Sequence, residues 1–154
     1  MSQASHTEPL TIVAPLPPYA LHPNARGGWA TKIRAKKKHR SAVADEAAVV
    51  ALEVLGQRPR WLRASVGLNF VFERPRRGGL QAHDPDNLIA WAKTTIDGLT
   101  DAGVFKDDRE LIYLPPRQAW LPKGVTLPQH AQLEIVIWPT DPESCPICGK
   151  PNVG

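Results

Sequence analysis

The stretch HDPDNLIAWAKTTIDGLTDAGVFKDD, residues 83–108, decides how the rest of this chain is interpreted. It contains only two lysines but six aspartates: Asp84, Asp86, Asp97, Asp101, Asp107 and Asp108. Its composition and flanking residues predict a helix over residues 86–101, with Asp86 or Asn87 as the N-cap and Gly103 as the C′ residue. The acidic residues are therefore gathered on and beside one predicted helix.

Helical periodicity separates this helix into a polar stripe and an apolar side. At roughly 100° per residue, Asp86, Lys93 and Asp97 share one stripe, and the apolar residues face away from it. Asp84 precedes the helix, while Asp107 and Asp108 follow it. The two ends can meet only if the chain returns along the helix, and the pattern alone does not establish that return.

Charge is distributed unevenly along the chain, whose net charge is +4. Residues 1–83 carry 13 Lys and Arg against 5 Asp and Glu, whereas residues 84–110 carry 3 against 7. Basic surfaces attract a phosphate polymer, and carboxylates repel it unless metal ions lie between them. A solvated helix face without any function is the alternative explanation of the same charges.

The remaining segments predict an α+β fold with a small mixed sheet of about four strands and two helices, in the order β-α-β-α-β-β. A helix rich in Ala, Lys, Glu and Leu is expected at 32–55, ended by Gly56. Strands are expected at 10–16, 61–73, 110–120 and 132–138.

Length and composition fit one domain that needs no disulfide bonds for stability and has no membrane span. A chain of 154 residues can bury a core of its own, and its two cysteines form no disulfide framework. The sequence has neither an apolar run of about 18 residues nor a secretory signal pattern. We therefore expect a soluble, cytoplasmic protein.

Carboxylates in small numbers, without a cluster of His or Cys, favour Mg²⁺ or Mn²⁺ over zinc. Two such ions about 4 Å apart can activate a water and stabilise the leaving oxygen of a phosphodiester. A lysine on the same face can offset charge that develops on the phosphate.

Three motifs in this region resemble the signature of the RusA-type Holliday junction resolvases, which are often phage-encoded. They are D-x-D-N at residues 84–87, K-x-x-x-D-G-L at 93–99 and G-V-x-x-D-D at 103–108. Upstream, PLPPYALHPN at 15–24 and the basic helix resemble the start of the family. The resemblance covers about residues 10–138. It is specific in residues 84–108, the acidic block.

This resemblance implies a homodimeric, Mg²⁺-dependent endonuclease that nicks four-way DNA junctions symmetrically, in a bacterial or phage-infected cell. It implies that Asp84, Asp86 and Asp108 are the metal ligands and that Lys93 is the catalytic lysine. The family's lysine lies one helical turn nearer to D-x-D, and positions +4 and +7 share a helix face. Asp97 is either a further metal ligand or the i, i+4 partner of Lys93, and Asp107 is a further candidate for metal binding.

Basic residues on both sides of the acidic block are the candidate DNA contacts, because Lys and Arg at phosphates give affinity without reading sequence. They lie in the loop 74–79, in the run 32–40 and after the prolines: Arg74, Arg76, Arg77, Lys36, Lys37, Lys38, Asn24 and Arg26. Trp29 is a candidate for stacking at an opened junction. The other tryptophans are expected to pack in the core.

The expected organisation is a disordered N-terminus at 1–9, a RusA-like endonuclease domain at 10–140 and a tail at 141–154. In the tail, CPICGK resembles a zinc knuckle through Cys145 and Cys148. Four ligands would need a second copy of the tail or histidines. The alternative is a reduced, idle cysteine pair.

Two other functions remain open at this point. One is a DNA-binding protein without catalysis, and the other is a metal-dependent nuclease that acts on flaps or single strands.

Overall fold

The computed structural model describes residues 8–75, 79–125 and 132–140. The strands are β1 (Leu10–Pro15), β2 (Ala64–Phe72), β3 (Leu111–Tyr113), β4 (Arg117–Trp120) and β5 (Gln132–Pro139). The α-helices are α1 (Trp29–Leu55), α2 (Pro85–Trp91) and α3 (Lys93–Asp101), preceded by a 3₁₀ turn at Tyr19–Leu21. Within these ranges no helix is long and apolar enough to cross a membrane.

All five strands belong to one mixed sheet, in the order β1-β5-β2-β3, with β4 also paired to β2. The pairs β1–β5 and β5–β2 are antiparallel, and β2 is parallel to both β3 and β4. Parallel strands need a crossover connection, and α2 and α3 supply it between β2 and β3. The predicted α+β class with a mixed sheet is confirmed.

One face of the sheet packs against the helices. Alternate residues of β2, including Val66, Leu68 and Phe70, are fully or almost fully buried there together with the apolar residues of α1 and α3. The opposite face is not covered by an element among the described residues, and Ile112 and Trp138 are exposed on it. The expectation that Trp138 packs in the core was therefore wrong.

The single strand expected over residues 110–120 is two strands. Val66 pairs with Tyr113, but Asn69 pairs with Arg117, so three steps on β2 correspond to four steps on its partner. The additional residue falls at Leu114–Pro116, where the two prolines have no N–H for a ladder bond. Because strand side chains alternate, the shift puts Tyr113 and Gln118 on the same face of the sheet.

The expected helix over residues 86–101 is also divided. It begins at Pro85 with Asp84 as its N-cap, not Asp86 or Asn87, and it is interrupted at Ala92. Its end is as predicted: Gly103 has φ +81°, and Val104 N donates to the Leu99 carbonyl. This is the bonding of a Schellman end, in which glycine takes the left-handed position.

The long helix begins three residues earlier than expected, at Trp29, and ends before Gly56 as predicted. Its contacts with α3 are close. A Cβ atom on Gly98 would lie 2.9 Å from the Arg40 carbonyl oxygen and from Val43, so only glycine fits there. The nearly buried His39 Nε2 lies 2.8 Å from Thr95 Oγ1, and burial lowers the pKa of the His39 imidazole.

These contacts fix the direction of the two helices. His39 meets Thr95, and Val43, one turn later, meets Gly98. The two helices therefore run in the same direction where they touch. The first half of α1 consequently extends past Thr95 on the side where α3 begins.

Candidate active site

Asp84 and Asp86 lie at the N-terminus of α2. The Asp84 carboxylate accepts a hydrogen bond from Asp86 N at 2.9 Å, which satisfies one backbone donor of the first turn. Pro85 has no N–H to satisfy and suits the first helical position. Both carboxylates are exposed, and an anion is favoured at this end of a helix.

Lys93, at the first turn of α3, joins two carboxylates. Its ammonium lies 3.3 Å from Asp97 Oδ1, as expected of residues four apart on a helix. It also forms an ion pair with Asp108, which follows α3 by seven residues. The chain therefore does return along the helix after its glycine end, which the sequence pattern could not establish.

The structure does not bring all of the predicted metal ligands together. Asp84 and Lys93 are nine residues apart, which corresponds to about 14 Å of helix at 1.5 Å per residue. Among the described residues, no group of three His, Cys, Asp or Glu side chains is close enough to hold an ion. Of the predicted set, Asp84 and Asp86 lie at the start of α2, and Asp108 lies at Lys93.

Asp107, a further predicted candidate, is engaged with Arg109. Its Oδ1 accepts from the backbone N of Arg109 at 2.9 Å, and its Oδ2 lies 3.1 Å from the guanidinium. These bonds lower the pKa of the Asp107 carboxyl. Asp108, not Asp107, is thus the member of this pair that faces Lys93.

Asp101 belongs to the packing of the helices. Its carboxylate receives two hydrogen bonds from the Arg40 guanidinium, at 2.5 and 2.8 Å, and this lowers the pKa of the carboxyl. A bidentate pair of this kind holds α1 against the end of α3.

Gln118 fixes the segment before the first carboxylate, and sequence analysis did not find it. His83 N donates to Gln118 Oε1 at 2.7 Å, and Gln118 Nε2 donates to the His83 carbonyl at 2.9 Å. This reciprocal pair ties the start of α2 to β4. No sequence pattern predicts the contact between Gln118 and His83, because the contact depends on how β4 pairs with β2.

An aromatic cluster lies beside this attachment. The Phe72 ring stacks on His83 and on Trp91, with centroids 4.9 and 6.4 Å apart. The buried Trp91 donates from Nε1 to the Pro18 carbonyl at 3.0 Å. The rings of Tyr19 and His22 continue the cluster. The proline-rich segment is thus held against α2.

Tyr113 is a second residue that the sequence did not single out. Burial raises the pKa of its hydroxyl, and the negative charge of Asp97 raises it further. The half-buried Tyr113 therefore lies within electrostatic reach of the Lys93–Asp97 pair, on the face of the sheet that α3 covers.

The predicted DNA contacts that the structure describes are exposed. Lys36, Lys37 and Lys38 lie in the half of α1 that extends toward the start of α3, and no ion pair among the described residues involves them. Arg74 Nε donates to the Leu121 carbonyl at 3.2 Å. Exposed residues also include Asn24, Arg26 and Trp29, and Trp29 is 79% exposed. Arg76, Arg77, Cys145 and Cys148 lie outside the described residues.

Comparison with known proteins adds no family to these observations. No protein-family model matches the chain, and no curated protein is significantly similar to it. The resemblance to RusA-type resolvases therefore rests on the motifs at residues 84–108.

Two substitutions of Asp84 separate the loss of the helix cap from the loss of the negative charge. We expect Asp84→Ala to lower the free energy of unfolding by about 1 kcal/mol, because the cap is lost. Asp84→Asn keeps the cap and should cost only a few tenths of a kcal/mol, from the weaker interaction with the helix dipole. Urea denaturation of both variants measures the difference. Equal losses in the two variants would show that Asp84 does not cap α2.

Proposed function

We propose that this protein is a divalent-metal-dependent endonuclease that resolves four-way DNA junctions by paired phosphodiester cleavage. It would act in recombination, repair or the processing of branched phage DNA, as the resemblance of residues 84–108 implies. The observation that carries the proposal is the ion pair between Lys93 and Asp108. This ion pair joins the motif at residues 103–108 to the motif at residues 93–99.

Asp84, Asp86 and Asp108 are the residues that would hold the metal. Their donor chemistry fits Mg²⁺ or Mn²⁺, because all three offer carboxylate oxygens and none lies deep in an apolar environment. Two of them lie at a helix N-terminus and the third lies beyond α2. Bound metal supplies a water of lowered pKa and charge neutralisation at the phosphate.

Lys93 has two tasks in this proposal. Without a divalent cation its ammonium offsets part of the charge of Asp97 and Asp108, which otherwise repel each other. When Asp108 binds a cation, Lys93 keeps Asp97 as a partner and can turn its charge toward the phosphate. The ion pair with Asp97 then limits where the lysine can lie.

The DNA backbone would follow the exposed basic residues. Lys36, Lys37 and Lys38 lie in the half of α1 that extends toward the start of α3, and Arg74 lies just after β2. Phosphate contacts on two sides of the acidic site offset its repulsion of DNA. Arg76 and Arg77 extend the same basic segment in the sequence.

A homodimer is part of the proposal, since symmetric nicks require two active sites. The uncovered sheet face exposes the apolar side chains of Ile112 and Trp138 beside the hydrogen-bonded pair of Asn69 and Glu134, and a second copy of the chain would cover them. A zinc site formed by Cys145 and Cys148 of two tails remains a separate prediction.

The proposal is tested by cleavage of a synthetic four-way junction with Mg²⁺, with EDTA and with Asp86→Asn. We expect paired symmetric nicks that need the metal, and a loss of at least about 100-fold in Asp86→Asn. Asp45→Asn is the matched control, because Asp45 is an exposed aspartate on α1, and it should cleave normally.

Other outcomes identify the alternatives. Tight junction binding without cleavage under any metal would contradict the enzyme proposal and indicate a DNA-binding protein. Equal cleavage of junctions, flaps and linear DNA would indicate a nuclease of broader specificity.

The role of Lys93 gives a second prediction. Lys93→Met should bind Mn²⁺ several-fold more tightly, because Asp97 and Asp108 lose their cation, while junction cleavage falls about 100-fold. Mn²⁺ affinity is measured by electron paramagnetic resonance. Lys106→Met, which removes an exposed lysine of the same segment, controls for net charge and should change neither quantity. Weaker Mn²⁺ binding in Lys93→Met, or undiminished cleavage, would contradict this role.

A further inference from the structure

A cleft of about 450 Å³ opens at the carboxyl ends of the parallel strands β2 and β4. Its lining includes the rings of Phe72, His83 and Trp120 and the polar side chains of Glu73 and Gln81. The volume lies within the range of roughly 300–1,000 Å³ found for small-molecule sites. In open α/β sheets, ligands commonly bind outside the carboxyl ends of parallel strands.

The aromatic walls of the cleft are held in place. Phe72 pairs with Trp120 across the two strands, and their ring centroids are 5.8 Å apart. The backbone of His83 is fixed by both hydrogen bonds of Gln118. Trp120 and His83 are each half-buried, so part of each side chain is still accessible. Such walls suit a flat, apolar ligand with a π-face.

The polar residues of the cleft select the class of ligand. Glu73 and Gln81 are both exposed there. The edge of a nucleobase offers both N–H donors and acceptor atoms. The amide of Gln81 can both donate and accept, so it suits any base edge. Together with the aromatic walls, this amide favours a nucleobase as the ligand.

We propose that this cleft binds one unpaired nucleobase, stacked on Trp120 and His83 with its edge toward Gln81. His83 directly precedes Asp84, so a base held there places its own phosphate next to the acidic site. The proposal deepens the function proposed above and rests on it, since unpaired bases arise where DNA strands branch. Stacking on aromatic side chains is tolerant of sequence.

The test is a scan of single abasic sites around the branch point of a synthetic four-way junction. Binding is measured by fluorescence anisotropy in EDTA, so that no cleavage is needed for the readout. We expect Kd to rise roughly 5- to 150-fold at one or two positions, the range found when base stacking on an aromatic residue is lost. Uniform binding at every abasic position would overturn the proposal without any protein variant.

Protein variants locate the effect in the cleft. Trp120→Leu should weaken binding of the intact junction by a similar factor and should no longer distinguish the sensitive abasic position. Trp120→Phe keeps a stacking ring and should retain most of the discrimination. Trp61→Leu, which changes another half-buried tryptophan just before β2, at the end opposite Trp120, should retain all of it. Full discrimination in Trp120→Leu would overturn the proposal, and His83→Leu, which removes the other stacking ring, replaces this variant if it does not fold.

Cleavage with Mg²⁺, measured on the same substrates, keeps the two proposals distinguishable. A junction that shows the abasic effect in binding but is never cut contradicts the endonuclease and leaves the base site in place. A junction that is cut but shows no abasic effect contradicts the base site and leaves the endonuclease in place.

Discussion

The parallel pairing of β2 with β3 and β4 is the constraint on which the site depends. Two parallel neighbours need a crossover, and here the crossover is the acidic segment itself, α2 and α3. The crossover begins near the carboxyl end of β2 and ends near its amino end, where Phe105 bridges Trp61. The returning chain then passes back along the helices, which brings Asp108 to Lys93.

Part of the fold and of the site could be predicted from local features of the sequence. Gly56 and Gly103 end their helices as expected, because glycine adopts the left-handed conformation without steric strain. The Lys93–Asp97 pair follows from the i, i+4 spacing alone. The class of the fold follows from the alternation in β2 and from the composition of α1. These features need no knowledge of what packs against them.

What the sequence did not predict depends on contacts between distant segments. The additional residue at Leu114–Pro116 changes which side chains of β4 face the helices, and only the pairing with β2 defines that register. Gln118 therefore gave no signal of its contact with His83. The break at Ala92 likewise escaped a periodicity argument, which treats the helix as continuous.

The central claim is that carboxylates from both ends of α2 act on one cation. Mn²⁺ titration of Asp86→Asn, Asp108→Asn and the double variant tests it by a thermodynamic cycle. If both residues serve one site, each single variant weakens Mn²⁺ binding and the double variant loses much less than the sum of the two losses. Additive losses, or full affinity in Asp108→Asn, would contradict the claim and leave Asp108 as only the ion-pair partner of Lys93.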